Sequence, residues 1–243
     1  MKKVALFVEG QTEAIFVSEM IRHIFGENET QIIAHNMQRM YYKITIDTFQ
    51  TDGDRKYYFL IYNCGSDEKV KSSILDNYHK LQQSGFISII GLQDLFNPQR
   101  KKKGIDDDRF QKSINDNLPQ GIPIRIYFAV QEIEAWFIAE DTHYQRISSA
   151  LTIDLVNSIA GINIQKDDTG KIAHPSVVLN KIYTAGGKKH GYSKNEYAVK
   201  SIVENIDIGN LYLSVRHRNS SLNELLVCLD GLYEERHIKE RRT

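Results

Sequence analysis

No apolar run in this chain approaches the roughly 18 residues that a membrane helix needs, and no secretory leader is evident. The sequence therefore predicts a soluble, cytoplasmic protein without a membrane partner. It also lacks a surplus of either charge, with 31 basic residues set against 31 acidic ones. Bulk charge therefore does not advertise a nucleic-acid partner, and any such partner has to be held by a local patch. Cysteine is scarce: Cys64 and Cys228 have neither metal-ligand spacing nor a partner for thiol catalysis, which fits a reducing compartment. The eight histidines form no His-x-x-x-His pair, so a zinc site has little support. There is no glycine-flanked serine elbow and no internal repeat. Ala185 to Tyr192 mixes glycine, lysine and aromatic residues but misses the Gly-x-x-x-x-Gly-Lys-Ser/Thr spacing. Without that nucleotide loop, this chain alone is not expected to hydrolyse ATP.

What is present reads as an ordinary globular domain, or one and a half, with 41% hydrophobic and 26% charged residues. Val4 to Val8 is a β-favouring apolar run that ends on Glu9-Gly10. Ala14, Val17, Ile21 and Ile24 then repeat at helical spacing as far as Gly26. A short strand is expected at Gln31 to Ala34, a β insertion around Tyr41 to Phe49, and a strong strand at Tyr57 to Tyr62 followed by a helix to about Gln83. Phe86 to Ile90 and Ile122 to Val130 are further strands, with a helix from about Asp106 to Asn115 between them. Strands alternating with helices predict an α/β fold built on a parallel, doubly wound sheet. From about residue 145 the signals are mostly helical. They give an α/β core over 1–142 and a helical C-terminal extension, packed on that core, over 143–243, ending in a charged, frayed tail from Glu234.

Three strong strands end on carboxylates: Glu9, then Asp94, then Glu132 with Glu134. A parallel sheet puts all C-terminal strand ends on one edge, where open α/β sheets bind their ligands. Carboxylates converging there suit hard divalent cations, which prefer oxygen ligands and can clamp a phosphodiester. If the strand persists through Glu132 and Glu134, both project from one face; if a helix has begun, they diverge and one alone is a ligand. The competing explanation is that acids commonly flank strands and cap helices, as Glu13 in a first helical turn would.

Phe-Val-Glu-Gly-Gln-Thr-Glu at 7–13 resembles the first motif of TOPRIM domains, especially those of the overcoming-lysogenization-defect nucleases. Ile-Ile-Gly-Leu-Gln-Asp-Leu-Phe-Asn-Pro at 89–98 and Phe-Ala-Val-Gln-Glu-Ile-Glu-Ala-Trp-Phe at 128–137 are more particularly similar to the TOPRIM-related domain of unknown function 4276. The resemblance implies a Rossmann-like TOPRIM sheet flanked by helices and Mg²⁺- or Mn²⁺-dependent nuclease chemistry on DNA or RNA. It also implies a place in prokaryotic phage defence or repair, often beside an ATPase. On the matching positions, Glu9 and Glu13 fill the first acidic motif, Asp94 the second, and Glu132 or Glu134 the third; Glu9, Asp94 and Glu132 are the implied catalytic set. One departure stands out. TOPRIM domains usually carry two aspartates separated by one residue at the second motif, whereas Leu95 and Phe96 follow Asp94, and Asp106 to Asp108 lie twelve or more residues on. That departure motivates an alternative, a non-catalytic partner-binding or regulatory module. A nucleotide-processing phosphotransferase is a third, weaker option.

Arg100, Lys101, Lys102 and Lys103 follow Asp94 closely and can hold phosphates, or can pair with Asp106 to Asp108 on a solvated loop. Lys188 and Lys189 sit among glycines beside His190 and Tyr192, a composition suited to a phosphate backbone with a stacked base, or to a flexible turn. Arg216 and Arg218 precede Asn219 and Ser220, expected caps of a helix through Leu229. His174-Pro175 marks a helix start. Trp136 is expected in the core, with base stacking as the lesser option.

Overall fold

The computed structural model describes residues 1–36, 51, 53–95, 106–187 and 191–240. The chain divides into two compact units, one of Met1–Phe128 with Lys194–Lys200, the other of Ala129–Ser193 with Ser201–Thr243.

The first unit is built on a five-stranded parallel sheet flanked by helices. In chain order its elements are β1 (Lys2–Val8), α1 (Gln11–Phe25), β2 (Thr30–Asn36), β3 (Tyr57–Asn63), α2 (Asp67–Gln83), β4 (Phe86–Asp94), α3 (Asp107–Asn115) and β5 (Ile124–Ala129). The spatial order is β2-β3-β1-β4-β5. In-register parallel pairing runs from Lys2↔Tyr57 to Val8↔Asn63 between β1 and β3, and from Val4↔Ser88 to Val8↔Leu92 between β1 and β4. Every residue of β3, and Val4 to Val8 of β1, is buried, so both faces of these central strands are covered. Continuous apolar runs such as Tyr-Tyr-Phe-Leu-Ile-Tyr are what that double burial demands.

Helix α1 buries Glu13, Phe16, Val17, Met20, Ile21 and Phe25, with the Phe25 ring 4.8 and 4.9 Å from those of Tyr57 and Phe59. Each fully buried apolar side chain of this kind is worth about 1.5–3 kcal/mol. Val17 and Ile21 lie in the buried stripe as the helical spacing predicts, while Ala14 and Ile24 flank it half-buried.

Strand β4 runs on to Asp94, four residues past its expected end, because Gly91 is a close-approach position rather than a turn. A Cβ built on Gly91 would lie 2.7 Å from Cγ1 of Ile126 on β5. Gly91→Ala is therefore expected to push β5 off β4 and cost about 1–3 kcal/mol. Urea denaturation measures this, with partial recovery expected in a Gly91→Ala, Ile126→Ala double variant. An unchanged midpoint for Gly91→Ala would contradict the packing described.

The second unit is helical, with α4 (Glu134–Ala139), α5 (Tyr144–Ile147), α6 (Ile153–Ala160), α7 (Pro175–Ala185), α9 (Ile208–Leu213) and α10 (Ser220–Glu240); α8 (Glu196–Val203) contributes residues to both units. The chain enters α7 at Pro175 in its first turn, as expected. Asn219 caps α10 by accepting the Leu222 N–H at 3.0 Å, but that helix continues to Glu240, well past Leu229 and through most of the expected tail. Trp136 is fully buried, and its indole N–H donates to Ser221 Oγ at 2.9 Å, which fixes its role as core. Arg216 binds Asp230 and Asn223, and Arg218 binds Asp141 and the Ala139 carbonyl, so both arginines brace this unit. Among the described residues no helix is long and apolar enough to cross a membrane. The β insertion expected around Tyr41 to Phe49 lies outside the described residues.

Candidate metal centre

The sheet order sets the location. After β1 the chain moves outward to β2 and returns through β3; after β4 it moves the opposite way to β5. The C-terminal ends of β1 and β4 thus flank the topological switch point, where the diverging connections open a crevice in folds of this class.

Glu9 continues the β1–β4 ladder by donating its N–H to the Leu92 carbonyl at 3.0 Å. Its side chain reaches the neighbouring strand, where Oε2 accepts the Asp94 N–H at 2.9 Å. Asp94 is the last residue of β4 and is buried, with Oδ2 3.8 Å from Nζ of Lys194. Glu13 is buried in the first turn of α1, and its Oε2 lies 3.1 Å from where a Cβ on Gly10 would stand. Gly10 itself is extended, so what its size admits is the Glu13 carboxylate. Next to this pair, Cys64 donates its N–H to the Val8 carbonyl. Burial pushes the Cys64 thiol up to about 12; the charge of Glu9 adds to this, while a Ser73 hydrogen bond and the Lys69 charge oppose it. Such a thiol is not a nucleophile at neutral pH.

In the second unit the chain leaves β5 through Gln131, a non-glycine residue at φ +65°. This bend replaces both expected alternatives for the next two acids. Glu132 lies in the turn and Glu134 is the first residue of α4, yet one carboxylate oxygen from each lies within 4.8 Å of the other. Glu132 accepts the Ser176 N–H through Oε2 at 2.8 Å and the Ser176 hydroxyl through Oε1 at 3.0 Å. It therefore sits at the N-terminus of α7, where the helix favours an anion. Glu134 is completely buried, and its Oε1 accepts the Tyr192 hydroxyl at 2.6 Å.

A model of the DUF4276 family, described as a domain of unknown function, matches residues 8–226. The chain belongs to the DUF4276 family. No curated protein and no solved structure matches it. In this DUF4276 chain the matched span contains Glu9, Glu13, Asp94, Glu132 and Glu134, together with Ser176, Tyr192 and Lys194.

The structure brings Glu9 to Asp94 in one unit and Glu132 to Glu134 in the other. All of these donors are carboxylate oxygens, which fit a hard divalent cation such as Mg²⁺ or Mn²⁺ and disfavour a soft one. Their hydrogen bonds to Ser176, Tyr192 and the Asp94 amide are of the kind that fix a ligand's orientation. Asp106 has a different job: it caps α3 by accepting the Arg109 N–H at 3.0 Å. Arg100, Lys101, Lys102, Lys103, Lys188 and Lys189 lie outside the described residues. Sequence reasoning missed Lys194, which meets Asp94 from one hundred positions along the chain with no local motif to announce it.

Proposed function

We propose that this chain is a TOPRIM-like nuclease that uses Mg²⁺ or Mn²⁺ to hydrolyse phosphodiester bonds of DNA or RNA. The observation that carries the reading is the half-buried Glu9 carboxylate, held by the Asp94 N–H, together with the buried Asp94 at the switch point of a parallel sheet. Glu9, Asp94 and Glu132 would hold the cation, with Glu13 and Glu134 completing or orienting the set. A bound divalent cation supplies Lewis-acid polarisation of the phosphoryl oxygen and a hydroxide at neutral pH. The residues of the chain do the rest. The Asp94 amide holds Glu9, the Ser176 amide and hydroxyl hold Glu132, and Lys194 offsets part of the Asp94 charge. Arg100, Lys101, Lys102, Lys103, Lys188 and Lys189 are the proposed phosphate contacts, which would make binding fall steeply with salt. In this reading the α/β core of 1–142 carries the chemistry in the cytoplasm, and the helical part of 143–243 supports it.

The test is incubation of end-labelled single- and double-stranded DNA and RNA with the protein and Mn²⁺. Cleavage by the wild-type protein, abolished by chelator and by Glu9→Gln, is expected; equal cleavage by Glu9→Gln would contradict the assignment. A second reading is favoured by one specific feature. Two positions after Asp94, where the related motif carries its second aspartate, this sequence has Phe96, which leaves one acid there in place of two. On that reading the chain is a regulatory module for an ATPase partner, and stoichiometric co-purification without cleavage in any metal distinguishes it.

A further inference from the structure

We propose that Tyr192 is a positioning residue that aims the Glu134 carboxylate, and that α7 thereby orients both acids of the second unit. This rests on the reading that Glu134 belongs to the metal-holding set. Helix α7 holds Glu132 directly, through the amide and hydroxyl of Ser176 in its first turn. One turn further on, Asn180 of the same helix accepts the Tyr192 backbone N–H through Oδ1 at 2.9 Å. The Tyr192 hydroxyl then donates to Glu134 Oε1 at 2.6 Å, and both side chains are buried. The turn that makes this reach possible depends on glycine. Gly191 has φ +54°, and a Cβ there would fall 1.9 Å from Asn180 Oδ1 and 2.7 Å from Thr184 Oγ1. Position 191 therefore takes no side chain without breaking the Asn180–Tyr192 bond.

The chemistry of the donor matters as much as its place. A lysine or arginine in hydrogen-bond contact with Glu134 would neutralise the carboxylate and compete with a cation for it. A phenol fixes the rotamer through a neutral hydrogen bond and leaves the full negative charge for the ion, the usual arrangement for an outer partner of a metal ligand. The mechanism proposed above gives Tyr192 no step of its own; its part is to hold Glu134 still.

The experiment is Mn²⁺ titration calorimetry on the full chain as wild type, Tyr192→Phe, Glu134→Gln and the double variant, each checked by thermal melting. Tyr192→Phe is expected to weaken Mn²⁺ binding about tenfold while melting as the wild type does, and to cause no further loss in the Glu134→Gln background. Asn180→Ala, which releases the turn without altering either partner, is the second variant and is expected to shift affinity in the same direction. Wild-type affinity in a folded Tyr192→Phe protein overturns the positioning role and leaves the metal centre standing. An equal loss with and without Glu134 also overturns it, because Tyr192 would then act elsewhere. No Mn²⁺ binding by folded wild-type protein overturns the metal centre itself, and this role with it.

Discussion

Glu140→Gln protein is expected to be about 3 kcal/mol less stable than wild type at neutral pH and to lose much of its sensitivity to acid. Glu140 is completely buried at the end of α4. Its Oε1 accepts from the Thr142 N–H and hydroxyl and from Asn210 Nδ2, and its Oε2 from the His143 and Asp207 N–H groups. Nδ1 of His143 lies 3.3 Å away and Nη2 of Arg146 3.6 Å away. Burial by itself would raise the carboxyl pKa. Hydrogen bonds from His143, Thr142 and Asn210, together with the His143 charge, outweigh that penalty and hold it down to about 2, from an ordinary 4.5. A drop of that size corresponds to about 3 kcal/mol of differential stability. Because the folded value is depressed, the stabilisation is fully present above the unfolded value of 4.5 and disappears as pH falls from there toward 2. Urea denaturation from pH 7 to pH 2 checks this. Wild type should weaken steeply below pH 4.5 and the variant much less; parallel curves would show that Glu140 does not carry the acid limb.

Asp94→Asn is expected to reduce Mn²⁺ affinity and any cleavage at least a hundredfold while leaving the fold intact. The amide is isosteric, and the Asp94 backbone N–H that anchors Glu9 is untouched. What disappears is the buried negative charge at the end of β4. Neither Leu95, which follows directly, nor Asp106, which is committed to capping α3, supplies that charge. Parallel titrations of metal and substrate against wild type measure both losses, and circular dichroism confirms the fold. Retained affinity in a folded Asp94→Asn protein would remove Asp94 from the site.

Much of the first unit is legible from local pattern. Apolar runs such as Val4 to Val8 and Tyr57 to Tyr62 are long enough to require burial on both faces, and the helices between them require a parallel sheet. A carboxylate at each of two such strand ends, Glu9 and Asp94, then follows to one edge. Gly91 shows where local pattern fails. A glycine in an apolar run signals either a strand end or a close approach, and the side chain that decides, Ile126, is 35 positions away. The bend at Gln131 is another such case. A left-handed glutamine has no residue signature, so sequence offered one strand or one helix for both Glu132 and Glu134, whereas the chain puts Glu132 in a turn and begins the helix at Glu134. Ser176, Tyr192 and Lys194 were missed because each meets its acid across 44 to 100 positions, at distances only tertiary packing sets. Glu140 had a signal that could have found it: a lone acid closing the apolar run Ala135 to Ala139 cannot stay charged there without several donors.

The most direct test of the metal centre is Mn²⁺ titration calorimetry on the wild-type chain beside Glu9→Ala and Asp94→Ala variants of verified fold. Saturable binding by the wild type, lost in both variants, is the predicted result. A folded wild-type protein that takes up no Mn²⁺, or binds it equally well without Glu9 and Asp94, would contradict it.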